Sequence, residues 1–100
     1  MSAASHFILY VQDQARSTDF YSAVLLIEPR LHVPGMTEYA LPGGGILGLM
    51  PESGIRKLLG SVLPDPAKAQ GTPRSELYLV VGDAKGHHAR SLAAGAKELS

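Results

Sequence analysis

The stretch that decides the fold is His6-Phe7-Ile8-Leu9-Tyr10-Val11-Gln12-Asp13. Phe7, Leu9 and Val11 alternate with His6, Ile8, Tyr10 and Gln12, and a period of two is the pattern of a strand with two distinct faces. Asp13 ends the run. Its carboxylate can accept the free amides of a first helical turn, so it reads as an N-cap. Phe20, Tyr21, Val24 and Leu25 then recur at helical spacing, which predicts an amphipathic helix over 14–26.

Downstream, Pro29 and the pair Pro34-Gly35 bracket a short strand at 28–33, placed at a sheet edge because proline cannot serve a central ladder. Residues 37–41 and 45–50 read as two further strands, joined by a Pro42-Gly43-Gly44 turn. A first strand over 5–12 completes a strand, a helix and three strands within 1–50. Residues 51–73 form an inter-module linker, punctuated by Pro51, Gly54, Gly60, Pro64, Pro66, Gly71 and Pro73. One short helix fits inside it, capped by Ser53, closed by Gly60 and apolar along Ile55, Leu58 and Leu59. Such a long connection usually crosses between modules or over a partner.

The opening pattern then returns in 74–100. Leu77, Leu79 and Val81 alternate with Glu76, Tyr78 and Val80, Asp83 stands where a second N-cap belongs, and a helix is predicted over Ala84–Ala94. Ala89, Leu92, Ala93 and Ala96 are its apolar side, and Gly95 is its C-cap. The two strand-helix units superpose at an offset of about seventy residues, with Ser5 on Ser75, Leu9 on Leu79, Val11 on Val81 and Asp13 on Asp83. The second unit stops after its first strand and helix.

Composition narrows the classes. The 100 residues contain 45% apolar residues and carry a formal net charge of zero. That is a globular composition, and no basic run offers a nucleic-acid surface. The apolar runs are far shorter than the roughly 20 residues of a membrane span. There is no cysteine, which removes disulfides, thiol nucleophiles and thiolate metal sites and fits a cytoplasmic protein. Met1–Ser5 has neither the basic nor the apolar region of a signal peptide.

The opening strand, followed by Ser17, Phe20-Tyr21 and Val24-Leu25, resembles the start of vicinal oxygen chelate proteins, the glyoxalase, bleomycin-resistance and extradiol dioxygenase superfamily. The likeness extends through Gly95. It implies an α+β fold: one βαβββ module plus the first βα half of a second. One local departure is Leu26, where that family has glycine.

The resemblance also implies a site. His6 stands at the family's first metal-ligand position, on the strand face shared by Ile8 and Tyr10. Glu76 takes the third position, and a carboxylate there can bind a divalent metal. Gly48 stands where a second ligand belongs and has no side chain to offer. His6 and Glu76 are therefore the candidate metal pair, two ligands where a catalytic centre fixes three. Ile46, Gly48 and Met50, with Tyr10, Tyr78 and Val80, are the expected walls of a mostly apolar cavity. The expected function is binding of a small apolar or aromatic molecule, without a cofactor and as a homodimer. The alternative is a metal-dependent lyase or dioxygenase of the same superfamily.

The remaining residue groups point elsewhere. His87 and His88 are adjacent on a helix and cannot converge on one ligand. Gly43-Gly44-Gly45 lacks the Gly-Lys-Ser/Thr of a phosphate cradle.

Overall fold

The computed structural model describes residues 4–69, 71, 72 and 75–99. The elements run β1 (His6–Val11), α1 (Gln14–Leu25), β2 (Leu31–Val33), β3 (Met36–Ala40), β4 (Ile46–Pro51), α2 (Glu52–Leu59) and α3 (Ala84–Ala93). Two 3-10 turns, Gly60–Val62 and Pro66–Ala69, follow α2. The four strands form one mixed sheet in the order β1-β4-β3-β2. β1 runs parallel to β4, while β3 is antiparallel to both β4 and β2. This is the βαβββ order expected from the alternation of periods two and 3.6. The N-terminal leader reading and the 73/74 linker boundary fall partly or wholly outside the described residues.

Local chemistry sets the ends of α1. Asp13 accepts the Arg16 amide at 3.1 Å, as an N-cap should. Gln14 then ties the helix start to the β2–β3 turn. Its side-chain amide donates to the Val33 carbonyl at 2.8 Å and accepts the Gly35 amide at 2.9 Å. Gly35 has φ 93°; with Pro34 before it, the pair follows the type II turn pattern, which needs a positive φ at its second central residue. At its other end α1 closes on Leu26 in the left-handed region, φ 55° and ψ 37°. A side chain there costs about 1–2 kcal/mol. Leu26 is 66% exposed, so little packing would be lost with it. Leu26→Gly is therefore expected to stabilise the fold by about 0.5–1 kcal/mol, after glycine's extra unfolded-state freedom is set against the relieved strain. A higher urea midpoint with an unchanged slope checks this.

The core lies between the sheet and α1. Tyr39, Leu47 and Leu49 are completely buried, and Leu9, Val11, Tyr21, Leu25 and Ile27 pack around them. Val24 is also buried. Two apolar side chains sit away from the centre of this core. Phe7 lies on this face by register but is 51% exposed. Phe20 stands edge-on to Tyr21, ring centroids 5.1 Å apart, and lines clefts towards α3. Helical spacing identifies a stripe but not its centre, which falls nearer Tyr21 and Val24.

A polar seam runs beside this core. Thr18 donates to the Gln14 carbonyl at 2.8 Å. That uses its only hydrogen, so the buried Thr37 hydroxyl donates to Thr18 across 3.0 Å. Gln14 and His32 Nδ1 then approach Thr37 as donors, at 2.9 Å each. The Tyr39 hydroxyl donates to the Thr18 carbonyl and accepts from Ser22, both at 2.8 Å.

Three expectations are corrected in the second half. Residues 75–81 keep the alternation, with Leu77, Leu79 and Val81 half-buried and Glu76, Tyr78 and Val80 exposed, but they join no β-ladder. Periodicity encodes facing, whereas a strand also needs a paired edge. On α3 the half-buried positions are Gly86, His87, Arg90 and Ser91, while Ala89, Leu92 and Ala93 are exposed. The helix meets α1 through its polar side, and Arg90 donates to the Val24 carbonyl at 3.4 Å. In α2 Ile55 is buried but Leu58 is 71% exposed. Its N-cap is Pro51, with no side-chain cap from Ser53.

The caps of α3 follow the sequence. Asp83 accepts the Gly86 amide at 2.9 Å. Beyond the helix, Gly95 (φ 109°) donates to Leu92 and Ala96 donates to Ser91, at 3.1 and 2.9 Å. Those two bonds are the paired closure of a Schellman motif. Among the described residues, no helix is long and apolar enough to cross a membrane.

Candidate functional site

The strand register assembles one face from positions far apart in sequence. His6 pairs with Ile46, Ile8 with Gly48, and Tyr10 with Met50. Alternation then puts all six side-chain positions on the same side of the sheet, opposite α1. Gly48 also pairs with Glu38, and Ala40 with Ile46, so β3 adds Met36, Glu38 and Ala40 to this face. Six of the eight expected binding residues are thus brought together. Glu76 and Tyr78 are not among them. They lie on the unpaired segment 75–81, where Glu76 is exposed and Tyr78 is 80% exposed.

The polar end of the face is built on Glu38. Its side chain is only 13% exposed. One oxygen, Oε1, receives both Arg30 Nε at 3.0 Å and Arg30 Nη2 at 2.9 Å. The other, Oε2, stands 3.5 Å from His6 Nδ1. The Arg30 amide donates to the Glu38 carbonyl at 2.8 Å, so backbone pairing fixes the arginine beside its partner. The carboxylate standing beside His6 is therefore Glu38's. Among the described residues, no group of three or more His, Asp or Glu is placed to hold a metal ion.

Glu38 and Arg30 were not legible as site residues. Glu38 and Arg30 stood in two predicted strands, 37–41 and 28–33, whose pairing was unknown. The available signal was that Glu38 is the single charged residue in a strand of small and apolar ones. Such a side chain, once half-buried, needs an ionic partner.

The middle of the face is apolar and filled. A side chain at Gly48 would place its Cβ 3.1 Å from Ile8 Cγ1 and 3.4 Å from Met36 Sδ. Those two side chains close over β4 because the glycine leaves them room. A carboxylate at this position must displace both. Gly48→Glu is expected to destabilise the fold by about 1–3 kcal/mol through overpacking, read from the urea midpoint. At the far end Tyr10 meets a small recess bounded by Ile55, Leu59, Leu63 and Pro66 of α2 and the turns after it.

The face thus has a charged end, a hydrocarbon middle and an aromatic end. Ile8 and Tyr10 remain 43% and 38% exposed. Burial raises the tyrosine pKa on the helix side, at Tyr21 and Tyr39; at Tyr39, the carboxylates of Glu28 and Asp19 push the same way while the Ser22 hydrogen bond opposes.

No family model and no curated protein matches the chain. Solved structures do. A glyoxalase-related enzyme from Fulvimarina pelagi aligns with TM-score 0.69 at 16% identity, over 95% of this chain and 66% of its own. A glyoxalase/bleomycin resistance protein/dioxygenase from Nocardioides aligns with TM-score 0.65 at 21% identity, over 97% and 64%. Protein ATC0852 from Agrobacterium tumefaciens aligns with TM-score 0.59 at 24% identity, over 100% and 77%. The chain spans a little under two thirds of the length of the two glyoxalase-type structures. Strand order, helix placement and these alignments agree: the chain has a βαβββ fold of the glyoxalase/bleomycin-resistance type.

Proposed function

We propose that the chain is a small-molecule-binding module, taking an apolar or aromatic molecule on the sheet face opposite α1. The observation that carries this reading is the contrast between the two faces. On the helix side Tyr39, Leu47 and Leu49 have no exposure at all, whereas on the other side Ile8 and Tyr10 are 43% and 38% exposed, beside a buried Ile46. An apolar surface with a few polar groups at one end has the chemistry of a ligand-site wall. The names of the structural neighbours, which include a bleomycin resistance protein, favour the same reading. A second wall is required to enclose the molecule. We assign it to a second copy of the chain, as a homodimer, with Tyr78, Val80 and Glu76 available on the exposed side of 75–81.

The metal-dependent lyase or dioxygenase reading is less favoured by the geometry. Glu38 is already neutralised by Arg30, whose cation opposes a metal at His6, and position 48 supplies no donor. No cofactor is required for binding. A neutral net charge and the lack of cysteine fit a cytoplasmic protein that binds neither nucleic acid nor a membrane.

Fluorescence titration with a neutral naphthalene dye tests the site. Ile8→Glu is expected to weaken binding at least about tenfold, because an uncompensated charge would be placed in the contact. Equal binding by the two proteins would remove the site from this face. Elemental analysis of the same preparation tests the alternative: about one transition-metal ion per chain, lost in His6→Ala, would restore the metal-enzyme reading.

A further inference from the structure

We propose that His6 is the hydrogen-bond acceptor for a proton-donating group on the ligand, and that Glu38 holds it in that role. The ligand class is then an aromatic molecule carrying a hydroxyl or N–H at one end. This rests on the sheet-face reading above and specifies its substrate chemistry.

The argument begins with the donors and acceptors present. Arg30 has only donors, and its fork is committed to Glu38 Oε1. Glu38 Oε2 is left facing His6 Nδ1 at 3.5 Å. A neutral imidazole carries one hydrogen, and a carboxylate beside one nitrogen draws the hydrogen to that nitrogen. In the proposed arrangement Nδ1 carries the hydrogen and Nε2 keeps its lone pair. Among the described residues Nε2 makes no hydrogen bond. The His6 side chain is 40% exposed, so a ligand on the face can reach it.

Glu38 is a positioning residue in this scheme. It lies on β3, with β4 between it and β1. At the crossing Gly48, directly opposite Glu38 in the register, adds no side chain of its own. The apolar part of the ligand is bounded by the same rows. His6 and Tyr10 are four residues apart on one strand, a span of about 13 Å. A molecule of about two fused rings fits that length, with its donor at His6 and its far edge at Tyr10 and Met50.

The test compares 7-hydroxycoumarin with 7-methoxycoumarin on the full chain, in buffer containing a chelator. One hydrogen bond to a held imidazole is expected to favour the hydroxy compound about tenfold. In His6→Phe the ratio of the two affinities should fall to about one, with circular dichroism confirming the fold. In Glu38→Gln it should fall part of the way. Nitrogen-15 spectra of the unliganded wild type give a second readout that needs no variant, and should show His6 protonated at Nδ1. Equal affinities in the wild type, a preference that survives His6→Phe, a preference absent under chelation, or the opposite tautomer would each overturn the proposal. If the two coumarins bind equally, the sheet-face site stands and only His6's role falls; if neither binds, both fall.

Discussion

Tyr39→Ala is expected to lower the unfolding free energy by about 3–5 kcal/mol, a large part of the roughly 5–15 kcal/mol of an ordinary domain. Tyr39 has no solvent exposure and lies at the centre of the core. Its ring fills the space between β3 and α1, and its hydroxyl closes a circuit with Thr18 and Ser22. Tyr39→Phe should cost less, about 1–3 kcal/mol, because it keeps the ring and leaves the Thr18 carbonyl and the Ser22 hydroxyl short of a partner. Urea denaturation of the two variants separates the ring from the hydroxyl. The same residue gives the protein an alkaline limit. Burial raises the pKa of Tyr39 above 10.0. The unfolded chain therefore loses this proton at a lower pH than the folded one. Stability from this source is fully present below about pH 10 and falls as the pH rises through the folded-state value. Tyr21, raised by burial as well, adds in the same direction. Unfolding free energy measured across that range should fall less steeply in Tyr39→Phe than in the wild type. Parallel curves would show that Tyr39 titrates alike in both states.

Leu49→Ala is expected to cost about 2–5 kcal/mol, whereas Ile8→Ala should cost about 1 kcal/mol or less. Ile8 and Leu49 lie on neighbouring strands, one residue out of register, and so face opposite ways: Ile8 pairs with Gly48, and Leu9 with Leu49. Leu49 is fully buried against the α1 side, while Ile8 is 43% exposed on the other. The contrast follows from the pleat. The helix side of the sheet holds the fully buried Tyr39, Leu47 and Leu49, whereas Ile8 on the other side keeps part of its surface in water. Thermal or urea unfolding of both variants checks it. Comparable losses would mean that the open face is itself core.

The metal reading also turns on particular residues. The resemblance implied His6 as a ligand, and the repeat put Glu76 opposite it as a second. The structure puts Glu38 within 3.5 Å of His6, with Arg30 on its other side. That carboxylate comes from β3, and no spacing in the sequence connects residues 6 and 38. Their proximity depends on β4 passing between β1 and β3.

The sequence by itself determined the order of elements, the N-caps at Asp13 and Asp83, the closure at Gly95, and the face to which each residue of β1 belongs. These are local properties. Capping is decided by side chains within a few residues of the helix end, and facing by an alternation that needs no partner. The tertiary structure decided the rest: the β1-β4-β3-β2 order, the Arg30–Glu38–His6 cluster, the polar side that α3 turns towards α1, and the unpaired state of residues 75–81. Those depend on which strand edge meets which, and pairing is a free-energy difference between whole arrangements of the chain. A one-residue change of register would have sent Glu38 into the core and left His6 without its carboxylate.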